Sequence, residues 1–320
     1  MNAILTSDAD LLSYNINNGR TVFTFGSDSD GASIATSHLW YRQRVDIDKL
    51  KHCYNLLKQN AGVFSNMRGN FAPILVGRMA LADNPKELLD NVLQTEPCLR
   101  KEFGSLTQYL HIVALYLACD PNFSADSCKR LITDSHAIYK RISRNHEILT
   151  SSNDILYCMA LAKHGISPDM AADLSERSYT ELKHSINEDA ALRISEALIL
   201  FDGSPERKCE QVITLIKDLK FSTNWHSNET CLIALSALYG VTADQVCECS
   251  DYLKKLKGFG LLGNPTSRRI MFAAALNLID RINEEPDSDK RDLFEAIIQT
   301  TLFTAREDAD STIACNPALM

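Results

Sequence analysis

The chain carries no surplus of basic residues: 33 Lys and Arg stand against 41 Asp and Glu, a formal net charge of -8. Neutralising phosphates needs the opposite balance, which argues against a general nucleic-acid binder and against an acidic membrane surface as partner. No apolar run approaches the ~18 residues that a membrane span requires; the longest, such as 270–276, stop far short. Residues 1–10 show no basic segment followed by an apolar core, so no leader peptide is expected and the cytoplasm is the expected location. Ten cysteines are scattered without a CxxC pair. They are expected to be reduced thiols, most of them small buried hydrophobes. Strand-type alternation of β-branched residues is nowhere sustained, and no Gly/Ser linker splits the chain, which reads as one domain.

Signatures of chemistry are equally scarce. HExxH, the Walker A loop and the GxSxG elbow are all missing, and the eight histidines are dispersed. Gly258 to Gly263 has the letters of a dinucleotide turn, GxGxxG. That motif needs a strand before it, whereas 252–257 has a helical pattern, so the glycines are expected to end a helix and no cofactor is expected. Asp28, Asp30 and Gly31 resemble the start of an EF-hand loop, but no Glu follows at its last position, and a solvated loop is the simpler reading. Glu284, Glu285, Asp287 and Asp289 surround Pro286, which breaks the helix that would align them, and Cys247 and Cys249 point apart on a helix. No metal site is expected.

What the chain does have is a repeated landmark. Ala-Leu recurs at Ala80, Ala114, Ala160, Ala197, Ala234 and Ala275, at intervals of 34, 46, 37, 37 and 41 residues. Such spacing is what a stacked helical hairpin produces, two helices and two turns per repeat. Each repeat has two unlike halves. In 210–221, Val212, Leu215, Ile216 and Leu219 share one face and polar residues the other, the period of an outer amphipathic helix. The following 230–239 is apolar nearly all round, as an inner helix would be. Helix starts follow most landmarks: Asn84-Pro85, Ser167-Pro168 and Ser204-Pro205 each place a capping side chain before proline, with an acid in the first turn. Thr242 with Gln245 has capping-box spacing. The expected fold is all-α, about six hairpins in an α-solenoid, with a closed α/α array as the alternative. Helices within 1–45 precede the hairpins of 46–282, a last helix lies in 283–308, and 309–320 is expected to be a tail.

Unusual polar and aromatic residues collect in the connections within each hairpin. In a stack of repeats these turns line one edge, which is how solenoids build extended binding surfaces. The candidate edge comprises Arg68, His146, Asp154, Trp225, His226 and Arg268. The competing structural reading is that Asn70, Asn153, Asn228 and Ser267 nearby cap the inner helices.

Three segments carry a resemblance: Phe64-Ser65-Asn66-Met67-Arg68-Gly69, Lys101 to Ser105 running into Tyr109-Leu110, and His146 to Thr150 followed by Asn153-Asp154. In that order, across roughly 45–280, the chain resembles the bacterial family known as domain of unknown function number four thousand and three. The resemblance implies an all-helical, soluble protein and supplies no activity, cofactor or catalytic residue. Function is therefore expected to be that of a helical-repeat module binding a protein or peptide, without catalysis. The alternative is an enzyme or small-molecule binder with a central pocket among the inner helices.

Overall fold

The computed structural model describes residues 1–24, 26–62, 65–104, 109–221, 227–259, 265–284 and 288–315, the last stretch by its backbone alone beyond residue 304. Among them there are helices and no strand. Seven antiparallel pairs follow one another: α1 (Ala3–Gly19) with α2 (Asp28–Leu39), α3 (Ile47–Asn60) with α4 (Ala72–Met79), α5 (Pro85–Phe103) with α6 (Leu110–Ala118), and α7 (Ala125–Ser143) with α8 (Ile155–Lys163). Then come α9 (Pro168–Leu182) with α10 (Glu188–Leu198), α11 (Pro205–Asp218) with α12 (Ser227–Ser236), and α13 (Ala243–Leu253) with α14 (Thr266–Asn283). A final helix, α15, spans Ser288–Cys315.

The odd-numbered helices α1 to α13 are the amphipathic halves. In α7, Cys128, Ile132, Ser135, Ile138 and Ile142 are buried at helical spacing while the intervening charges face water. The even-numbered ones are buried over most of their surface, wholly so in α6, where every residue from Leu110 to Ala118 is inside. Five Ala-Leu landmarks lie within α6, α8, α10, α12 and α14, and Ala80 caps the C-terminus of α4. The starts expected from sequence are present: Asn84, Ser167 and Ser204 accept from the amides of Glu87, Met170 and Arg207, each with proline at the first helical position. Thr242 and Gln245 complete a reciprocal capping box at α13.

Three expectations need correction. The hairpins number seven, because α1 and α2 form one of them; Ser27 and Asp30 make a capping box that starts α2 at Asp28, inside the segment read as a polar loop. α15 continues to Cys315, into the segment read as a tail. The third concerns shape. Each outer helix packs on the next, and α13 packs on α1. At that seam Tyr252 donates to Asp10 at 2.8 Å, Ser13 donates to the carbonyl of Lys257 at 2.9 Å, and Arg42 binds Asp8 at 2.8 Å while also reaching Asp280. The end repeats of an open solenoid do not meet; here the row returns to its own start.

α15 runs through the middle and packs on α2, α6, α8, α12 and α14. Leu293, Phe294, Ile297, Ile298, Leu302 and Phe303 are all buried there. Phe294 stacks edge-on against Tyr239 and Phe201 and lies beside Trp40. The inner helices approach closely where side chains permit: a Cβ on Gly77 of α4 would come within 2.9 Å of the Ile34 backbone in α2. Gly77 is thus required by the close packing of these two helices.

Nine cysteines have described side chains and all are free; six of them are buried, and Cys247 is exposed. No helix is long and apolar enough to cross a membrane among those residues.

Candidate functional site

Two arginines sit inside the array, Arg193 buried and Arg78 largely so, and each is answered by two carboxylates. The first is Arg78, the single charged residue of the otherwise apolar α4, set in its last turn where the helix dipole favours a cation. Its Nη1 donates to Glu295 at 3.1 Å and to the Tyr41 hydroxyl at 3.1 Å; Nη2 donates to Asp292 at 3.2 Å, and Nε to the Cys119 sulfur at 3.1 Å. Both carboxylates come from α15. Glu295 also accepts from Ser37 of α2 at 2.7 Å, and Gln299, one turn on, donates to the Ser33 carbonyl at 2.8 Å. Asp292, Glu295 and Gln299 thus form a polar stripe that ties the central helix to the ring. Beside them Lys163 of α8 bridges Asp120 at 3.1 Å and Asp289 at 2.9 Å.

This cluster is open on one side. α4 and α6 do not pack closely, and a pocket of about 500 Å³ opens at their C-terminal ends. Arg78, Tyr41 and Cys119 are among its lining residues, with Asp83, Glu87 and Asn91 from the α4–α5 turn and α5, and Asp120 and Phe123 from the segment after α6. A volume of this size is that of an ordinary small-molecule site. Behind it, a void of about 20 Å³ reaches toward Gln299 between Ile74, Ile112 and Ala296, sharing Arg78 and Cys119 with the outer pocket.

Burial sets the protonation states. It opposes the charge on Arg78, yet Glu295 and Asp292 overcome it and hold the guanidinium well above its ordinary value. Burial pushes the Asp292 carboxyl up to about 6, against the pull of Arg78. It pushes the Cys119 thiol up to about 11, although Arg78 pulls it down. Cys119 is therefore a thiol at neutral pH, not a prepared nucleophile.

The second arginine, Arg193 of α10, is sealed. It donates to Asp154 at 3.3 Å, to Asp189 at 2.8 Å, to the Asn228 side-chain oxygen at 3.1 Å and to Ser151 at 3.4 Å. Glu196, one turn along, is wholly buried, and neither of its oxygens has a partner among the described residues. Burial, then the charge of Asp154, raises its carboxyl well above the usual range. Burial likewise raises Asp154 against the pull of Arg193.

Of the residues read from sequence as a binding edge, His146, Asp154 and Arg268 are engaged locally. Asp154 is fully buried against Arg193. His146 bonds Glu176 at 2.7 Å and stacks edge-on with Tyr179. Arg268 donates to Ser29 at 3.3 Å, and Arg68 is half-buried in a single 3-10 turn before α4. Trp225 and His226 lie outside the described residues. Ser151, rather than Asn153, caps the turn leading into α8, in a capping box with Asp154. The glycine motif follows a helix: α13 ends at Leu253, and Gly258 takes a left-handed φ of 89° against Ile16.

The family model for a protein of unknown function, DUF4003, matches residues 14–307. The chain belongs to this family. No curated protein and no solved structure matches it. The DUF4003 match covers both arginine centres and every pocket residue named above. Sequence reading of this DUF4003 chain missed Arg78, Asp292 and Glu295. Their only signal was an arginine inside an apolar helix, a charge that must find a buried partner.

Proposed function

We propose that this DUF4003 protein is a closed α/α array that binds a small polar molecule in the pocket between α4 and α6, without chemistry of its own. The observation that carries this reading is the pocket itself: about 500 Å³, floored by Arg78, Tyr41 and Cys119, with Arg78 bonded to the other two and to α15. A fixed polar floor beneath an open volume is what pre-organised small-molecule sites share. The binding reading, rather than the enzymatic one, is supported by the protonated Cys119 and by carboxylates that lie behind Arg78 and are bonded to it. Against a peptide groove along the hairpin turns stand the internal bonds of His146 and Asp154. Among the described residues the large exposed apolar ones, Ile4, Tyr14, Ile148 and Met170, are also scattered rather than joined into a stripe.

Native mass spectrometry of the protein purified from its own host, beside an Ala82→Trp variant that fills the pocket mouth, tests the proposal. Wild type should carry a small molecule that the variant lacks. Equal occupancy in both, or none in either after supplying a metabolite extract, refutes it.

A further inference from the structure

We infer that the molecule taken by this pocket is a small organic cation bearing a primary or quaternary ammonium group; the inference rests on the pocket being a small-molecule site. An anion is poorly served there. A guanidinium has five N–H donors, and four of those of Arg78 are already directed at Glu295, Tyr41, Asp292 and Cys119. Its charge is met from behind by the two carboxylates of α15. Among the described residues Arg78 is the only basic one lining the pocket, and Asp83, Glu87 and Asp120 line it too. Asp120 is paired with Lys163. The Glu87 carboxylate meets the neutral amide of Asn84, at 3.1 Å, and Asp83 has no side-chain partner among the described residues. Two exposed carboxylates without a counter-charge among the described residues, lining a concave recess, make the potential within it negative.

The remaining walls suit an ammonium ion on a carbon skeleton. The Tyr41 ring already has two guanidinium groups within cation–π distance, Arg78 at 5.6 Å and Arg291 at 4.9 Å. The half-buried Phe123 ring also lines the pocket and has no such cation among the described residues. The Asn91 amide, with no bond to another described side chain or backbone group, supplies a carbonyl acceptor for an ammonium N–H.

Calorimetric titration of the full chain with 1,4-diaminobutane and with tetramethylammonium, beside the matched neutral and anionic compounds 1,4-butanediol and succinate, tests the inference. At least one cation should bind, more weakly as salt is raised, while the diol and the dianion do not. Asp83→Asn with Glu87→Gln should weaken it about five- to tenfold, the scale of two exposed charge pairs. Ala82→Trp, or Gln43→Trp from the opposite wall should the first fail to fold, should abolish it. Binding of succinate or the diol that is lost in the tryptophan variant leaves the pocket standing and overturns the charge assignment. Cation binding that survives both tryptophan variants places the ligand elsewhere and overturns the site itself. No heat from either cation at millimolar concentration overturns the assignment.

Discussion

The Arg78 and Arg193 centres are built alike and end differently. Each is a guanidinium on an inner helix, inside the array, held by two carboxylates. At Arg193 the surroundings close: Ser151 and Asn228 occupy the remaining directions, and Glu196 is left buried without a partner among the described residues. At Arg78 the carboxylates come from the central helix and the open side faces a pocket of about 500 Å³. Burial of a charged network therefore does not by itself mark a working site, because such networks also hold helices in register. What separates the two is access.

The comparison can be broken most forcefully at the sealed centre. Arg193→Met removes the counter-charge of a fully buried Asp154, and an uncompensated buried carboxylate costs about 3–5 kcal/mol. Urea denaturation should show a loss of that size; a loss below about 1 kcal/mol would mean that Arg193 does not hold the hairpins of α8, α10 and α12 together. The same variant, where it folds, should bind pocket ligands as wild type does.

At the open centre the expected effect is one of pH. The Asp292 carboxyl is raised to about 6 in the folded state by burial. A group with a raised carboxylate pKa keeps its proton in the folded chain where the unfolded chain has lost it, so its contribution is greatest below the unfolded value and is lost as pH rises through about 6. Each pH step of one between the unfolded and folded values is worth about 1.4 kcal/mol, which limits the whole effect to roughly 3 kcal/mol. Urea melts of wild type and Asp292→Asn between pH 4 and pH 8 should diverge over this window, with wild type the steeper. Parallel curves would show that Asp292 ionises in place as freely as in water.

Two smaller changes sharpen the contrast. Ser151→Ala removes the cap that also accepts from Arg193, and should cost about 1 kcal/mol in thermal or urea melts. A neutral result would separate the cap from the network. At acid pH, where both side chains are neutral, Glu196→Gln should change stability by no more than about 1 kcal/mol. Because burial raises the Glu196 carboxyl, the wild type should fall behind the variant as pH rises. Equal pH profiles would mean that Glu196 is hydrated.

Much of the architecture was readable without coordinates, since helix caps and the Ala-Leu landmarks act locally. Asn84, Ser167, Ser204 and Thr242 announce their helices through residues three positions away. The helices of 1–45 were legible, but not their pairing as a hairpin, because α2 has no Ala-Leu landmark; it packs through Ala32, Ile34, Ala35 and Leu39 instead. The return of α13 to α1 depends on Tyr252 with Asp10 and Ser13 with Lys257, pairs more than 240 residues apart that no local pattern records. The pocket was hidden by α15 for a different reason. Asp292, Glu295 and Gln299 recur at helical spacing, which in isolation reads as a face turned to water, yet all three are buried against α2 and α4. A polar stripe looks the same in a sequence whether water or a guanidinium completes it.

The position of α15 bears on how this chain is made. Ribosomes deliver a protein from its N-terminus, and domains usually begin to fold as they emerge. Here the apolar inner faces of α2, α6, α8, α12 and α14 are completed by Phe294, Ile298 and Phe303, which are translated after all of them. Until those residues appear, the nascent ring has an exposed greasy interior, the kind of surface that chaperones recognise and that aggregates when left alone. Ser37 waits 258 residues for Glu295 and Ser33 waits 266 for Gln299. Such distant pairings slow folding, so the arrival of α15 is the step that commits the ring to its final form.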